Sequence, residues 1–389
     1  MLISSNRAGA QPAMLSKPVG CSLAPFYHPH KEADHMLTIA KREIKNYLKN
    51  PLFLIGVILV VLGVWQQLAP YLTTRYLSPE DSIVNDYPET VHSAEPYEGY
   101  IPTPETERRE IWNRLLRESL IANFEMSPAE ADAVIDTLKN QSIPDACTYL
   151  EEHCSYFGAD HLYEQTAYRK GTNGEINAYL DDVLKDHPFS FYFSRKFADF
   201  AGLFMGFFAT IMLSVLFIQD TRKHTYELLH TKPISAGNYV VGKVLGGFAV
   251  CLIVLVLLNL VFYAACLICT GGNGFVIRLL DFIMASCRYI LPNMLIIVCI
   301  YALIALLFKN PIPAMPFLFL LIVYSNMGGR NADGVYGYYG RPLAIMVRFP
   351  GALFDAAEPP MARLNQCFLL IASVCIILLS IRLWKRRRL

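Results

Sequence analysis

Long apolar blocks separated by polar stretches organise this chain of 389 residues. The blocks fall at 51–72, 198–218, 239–270, the later part of 275–308, 311–327 and 366–384. A helix needs about 20 mostly apolar residues to cross a bilayer, so this pattern predicts six membrane-spanning helices. The fifth is the shortest and is interrupted by Pro313 and Pro316. Its apolar run reaches only about 22 Å as a helix, against a hydrocarbon core of about 30 Å. The first part of 275–308 carries Arg278, Asp281 and Arg288 and is expected as a short outer helix before the fourth span.

The polar stretches have patterns of their own. Residues 1–35 show neither a long apolar core nor a regular period and read as a disordered leader. In 36–50, Leu37, Ala40, Ile44, Tyr47 and Leu48 share one helical face, and Lys41, Arg42, Lys45 and Lys49 fill much of the rest. That is an amphipathic elbow helix suited to the cytoplasmic headgroup layer. The long polar stretch 73–197 opens on Pro-, Tyr- and acid-rich sequence that looks extended. Three helices are expected after it: 104–124, one capped by Ser127 with Pro128 and Glu130 behind it, and 143–154. Its apolar content supports only a small helical cap. Phe189 to Phe200 (FSFYFSRKFADF) has the composition of an interfacial aromatic girdle. Residues 328–365 form a Gly- and Tyr-rich loop with a weakly amphipathic piece at 343–354, and 385–389 is a basic tail.

Charge orients these elements. Charged residues make up 17% of the chain, below the roughly 25% of soluble domains. The net charge of +1 gives no reason to expect a nucleic-acid partner. Residues 71–190 hold 23 acidic and 9 basic side chains, a formal charge of −14, which leaves +15 for the remainder. A translocated acidic part and cytoplasmic basic parts follow from the positive-inside rule. The expected fold is an all-α polytopic protein of the cell membrane. It has six transmembrane helices, both termini cytoplasmic, and a small helical extracytoplasmic insertion between spans one and two.

Candidate chemistry is sparse. The chain has no HExxH, no GxSxG, and no GxGxxG behind a strand, so a non-catalytic chain without its own cofactor is expected. Gly237 to Lys243 matches the first seven positions of a phosphate-binding loop, but Val244 stands where Ser or Thr should bind Mg²⁺, and no strand precedes it. Gly242 and Gly246, and likewise Gly202 and Gly206, are spaced for close helix packing. Asn259 and Asn293 are polar groups at membrane depth, expected to bond a neighbouring helix. Cys266 and Cys269 lack the second pair or nearby His of a metal site. Cys147 and Cys154 are candidates for a local disulfide if the insertion lies in an oxidising compartment.

The segment 219–238 joins spans two and three on the basic side. Asp220 and Thr221 are placed to cap a short helix, Tyr226, Leu228 and Leu229 give it an apolar edge, and Pro233 stops it. Such a helix suits docking into a groove of a cytoplasmic partner. The stretch resembles the corresponding loop of permease subunits of type 2 ABC exporters: an acidic residue, Leu-Leu, a basic residue with Pro, then Gly-Lys opening a long span. Here these are Asp220, Leu228-Leu229, Lys232-Pro233 and Gly242-Lys243. KREIKNYLKNPLFL, before span one, is similar to that family's elbow. The early loop departs from the family, with Asp220 and His224-Thr225 where members often carry Glu and Gly-Thr.

The resemblance implies a permease that hydrolyses nothing itself, paired with a second permease subunit, the same or different. ATP and Mg²⁺ would sit on a separate ABC ATPase subunit. Asp220, Arg222, Lys223, Tyr226, Leu228, Leu229 and Lys232 would then couple the two proteins. Two other readings remain open on sequence. A membrane-embedded enzyme or assembly factor would need convergent ligands, and His153, His161 and His187 in the insertion show no such pattern. An ion-coupled secondary transporter would need mid-membrane carboxylates and repeated halves.

Overall fold

In the computed structural model, residues 29–81, 88–221, 235–330, 336–338 and 340–387 are described. Among them, five helices are long and apolar enough to cross a membrane, and Ala314–Asn326 is a shorter apolar one.

Helix α1 (Pro29–Leu48) begins seven residues inside the stretch expected to be a disordered leader. Asn50 caps α2 (Pro51–Leu68) by accepting from the Leu52 N–H, and Pro51 opens the helix, where no backbone donor is lost. The polar stretch then holds α3 (Glu105–Phe124), α4 (Pro128–Leu138), α5 (Ile143–Cys154), α6 (Ala159–Glu164) and α7 (Asn173–Asp186). Reciprocal Ser127–Glu130 and Thr172–Glu175 capping boxes start α4 and α7. Trp112, Leu116, Leu120, Ala131, Leu138 and Leu150 form a separate small core here. Trp112 donates its indole N–H to the Ala159 carbonyl at 2.9 Å. Arg109 donates to the Leu138 carbonyl at 2.6 Å and the Gln141 carbonyl at 3.1 Å, satisfying groups at the end of α4.

Two features of this stretch depart from expectation. A three-stranded antiparallel sheet of β1 (Thr90–Val91), β2 (Tyr100–Pro102) and β3 (Tyr168–Lys170), with β3 in the middle, stands beside the helices. Strands of two or three residues are too short to show an alternating pattern. Cys147 and Cys154 are both free. They lie seven residues apart on α5, which separates their Cα atoms by about 10 Å, beyond the reach of a disulfide.

The bundle continues with α8 (Phe189–Thr221), α9 (Ala236–Cys269), α10 (Leu279–Tyr289), α11 (Leu291–Phe308), α12 (Ala314–Asn326) and α13 (Ala362–Arg387). A two-stranded ladder, β4 (Gly329–Arg330) and β5 (Tyr336–Gly337), follows α12. Only Ile290 separates α10 from α11, which carries Pro292 in its first turn, and the pair has the length of one span. Helix α10, the short outer helix expected before the fourth span, buries Phe282, Ala285, Ser286 and Tyr289 and leaves Leu280, Ile283 and Met284 exposed.

Much of the aromatic stretch 189–200 is packed within the protein. Phe189, Phe193 and Phe197 recur at four-residue spacing on α8 and are fully buried. Phe189 stacks on Phe275 at a centroid distance of 5.1 Å, and Phe193 and Phe197 meet Phe282 and Phe262 at tilted angles, 5.9 and 5.5 Å apart. Ile101 of β2 and Ile176 and Leu180 of α7 belong to this same core, so part of the polar stretch is packed onto the bundle.

Candidate functional site

Two constructions in the bundle bear on function, one at each end. At the end holding α1, the start of α9 and the end of α13, α1 lies directly on α9. Gly242 and Gly246 allow it. A Cβ on Gly242 would stand 3.1 Å from the Met36 carbonyl oxygen and the Ile39 Cβ, and one on Gly246 only 2.8 Å from the Glu43 Cβ. The buried face of α1 is Ala40, Glu43 and Tyr47, not the all-apolar row expected, and Leu37 and Leu48 are exposed. Burying Glu43 is tolerable because Lys243 Nζ meets its Oε1 at 2.8 Å, with both side chains less than a tenth exposed. Tyr47 donates to the Met212 carbonyl at 2.9 Å, tying α1 to α8 as well.

The phosphate-loop match is thereby disposed of. Gly237 to Lys243 is the first turns of a helix capped by Ser235, and Lys243 is committed to Glu43. Lys41, Arg42 and Lys45 stay exposed on α1, as does Lys49 just past its end. Helix α8 runs to Thr221 and α9 starts at Ala236, so Asp220 lies in the last turn of α8. Arg222, Lys223, Tyr226, Leu228, Leu229 and Lys232 lie outside the described residues.

At the opposite end, the segment 343–357, which holds the weakly amphipathic piece expected at 343–354, is irregular and mostly buried. Pro342, Pro350 and Gly351 disfavour a helix, and side chains from elsewhere take up its backbone polar groups. Lys196 Nζ donates to the Phe349 carbonyl at 2.8 Å and to that of Gly351. One Asp199 oxygen accepts from the Phe349 N–H at 3.0 Å and the other from Arg348 Nε. Arg348 also reaches Asn326 at the end of α12. Ser325 accepts from the Ile345 N–H at 2.9 Å, and Asn365 donates to the Ala344 carbonyl at 2.7 Å. Irregular backbone buried in protein is stable only when protein groups satisfy it in this way. Gly206 faces the same segment, since a Cβ there would be 2.6 Å from Met346 Cε, while Gly202 has Ile290 at 4.0 Å.

The polar stretch takes part through Glu95. It caps the turn Pro96–Glu98, and its two carboxylate oxygens lie 3.0 and 2.9 Å from the Leu353 nitrogen, whose N–H they accept. Burial pushes its carboxyl up from an ordinary 4.5 to about 7, against the opposing pull of the Leu353 N–H and Lys196. Between those values the folded chain keeps a proton that the unfolded chain has released. Stability therefore falls as pH rises from about 4.5 to about 7 and stays at the lower level above. In Glu95→Gln, which still offers an oxygen to Leu353, thermal melting of the purified protein should lose that share of the slope. Identical slopes in the variant and the parent would contradict this.

Lys196, Asp199, Arg348 and Glu95 were not found by reading the sequence. The available signal was a Lys and an Asp three apart, on one helical face, inside an aromatic run. Deeper in the bundle, Asn259 donates to the Leu255 carbonyl and accepts from Ser286 at 3.0 Å, joining α9 to α10, while Asn293 bonds the Tyr289 carbonyl. Among the described residues, no group of three His, Cys, Asp or Glu side chains is arranged to hold a metal.

Comparison with curated proteins and with solved structures returned no match. The profile of one family, described as ABC-2 family transporter protein, matches residues 37–338. That span runs from α1 to the ladder after α12, across both ends of the bundle. An amphipathic helix seated on an apolar helical bundle, and a sequence match covering most of the chain, lead to one assignment: this membrane protein belongs to the ABC-2 transporter family, as a permease.

Proposed function

We propose that the chain is the export-path subunit of a two-component ABC transporter in the cell membrane, driven by a separate ATPase that carries ATP and Mg²⁺. It crosses the membrane six times, with α12 as a short fifth crossing, and keeps both termini in the cytoplasm. The acidic stretch 73–197 is extracytoplasmic. Residues 220–232 dock on the ATPase, and a second permease subunit completes the path. The observation that carries this reading is the family match over 37–338. The charge split of −14 against +15 supports the orientation, because it puts the basic α1 and the 222–234 connection on the side where ATP is found.

A membrane-impermeant thiol label tests that orientation. Glu152 is exposed on α5. Glu152→Cys in a cysteine-free background should react in intact cells. Reaction only after permeabilisation would place the acidic stretch in the cytoplasm and remove the ATPase-facing role of 222–234.

A further inference from the structure

A cavity of about 420 Å³ lies between α11, α12 and α13, and every side chain lining it is apolar. Ile300 forms part of its wall on α11, Phe317 and Leu321 on α12, and Ala372 on α13. Leu343 and Ile345, from the segment 343–357, also line it. Phe317 and Leu343 are about half exposed, so the cavity opens sideways to the surroundings of the helices. Leu343 holds φ at +59°, a conformation costly for a branched side chain, and in it the residue stands at the rim.

Water gains nothing in a space without polar partners, and in a bilayer the surroundings of these helices are acyl chains. The polar end is marked too. Tyr324 lies one turn beyond Leu321 along α12, and its hydroxyl donates to the Pro342 carbonyl at 3.1 Å. The Arg341 guanidinium sits over that ring, 5.3 Å from its centroid, and donates to the Gly328 carbonyl. A cation therefore stands two residues along the chain from Leu343, which lines the cleft. We propose that this cleft binds one acyl chain of an anionic membrane lipid, with Arg341 meeting the headgroup. The site belongs to the isolated chain and needs no ATPase.

The test uses the full chain, purified and delipidated, with native mass spectrometry to count bound phosphatidylglycerol or phosphatidylcholine of matched acyl chains. Phosphatidylglycerol should bind about fivefold more tightly, the contribution of one interfacial cation. Arg341→Gln should abolish that preference and leave phosphatidylcholine binding as it was. Ala372→Phe or Leu321→Trp, which fill the cleft, should weaken both lipids at least about tenfold through lost methylene burial. Val374→Phe adds bulk on the exposed face of α13 and should change neither. Unchanged lipid binding in a cleft-filling variant, or an intact preference in Arg341→Gln, would overturn the proposal. So would a Phe317→Cys protein that cross-links to a second copy and carries no lipid, since the cleft would then be a contact between chains.

Discussion

Asp199→Ala is expected to cost the purified protein about 3–5 kcal/mol of stability, the scale found when one partner of a buried ion pair is removed. Asp199 is 2% exposed, and both of its oxygens are used, by Arg348 and by the Phe349 N–H. Alanine would leave Arg348 and the nearby Lys196 without that countercharge and the Phe349 N–H without an acceptor. Asp199→Asn keeps an acceptor and loses only the charge, so its loss should be smaller. Replacing Asp199 and Arg348 together by Leu and Met should be milder than alanine alone, because no unpaired charge is left. Thermal melting in detergent measures the order, and limited proteolysis within 340–357 shows whether the irregular segment comes loose first. Equal melting of Asp199→Ala and the parent would mean that this cluster does not hold the segment in place.

The second large effect belongs to the connection between α8 and α9. Leu228→Asp/Leu229→Asp should weaken association with the ATPase about 100-fold or more, since each leucine, fully buried, is worth about 1.5–3 kcal/mol. Membrane insertion should survive, because both residues lie outside the spans. The connection is anchored at both sides, by α8 ending at Thr221 and by α9 starting at Ala236 beneath the Glu43–Lys243 pair. Force applied between them therefore reaches two bundle helices and α1 together. Substitution of Arg222 and Lys223 should have a smaller effect that depends on salt, as expected of charges that steer an encounter. If both leucines instead lie in the membrane interface, pull-down of the ATPase and coupled hydrolysis would be undiminished in a correctly inserted double variant.

The long helices were legible because a bilayer-spanning helix writes itself as one continuous apolar block, and α2, α8, α9 and α13 all do so. Helix α1 was legible as amphipathic, but its contact face was not. Glu43 reads as part of a solvated face until Gly242 and Gly246 bring it against Lys243, about 200 residues away along the chain. The segment 343–357 left the weakest trace. Its order comes from Lys196, Asp199 and Glu95, which are distant in sequence, so no local period announces it. Phe189, Phe193 and Phe197 were readable as aromatic but not as buried, because composition gives no depth. Gly246 shows the converse, a small residue whose spacing foretold a close approach of two helices without naming the partner.

The permease assignment meets its most direct test when the full chain is affinity-purified from its native membrane and its companions are quantified. A separate ABC ATPase should co-purify in near-equimolar amount, and ATP hydrolysis should disappear when that subunit is stripped away. A chain that emerges without any ATPase, or that hydrolyses ATP alone, would contradict a permease driven by a separate subunit.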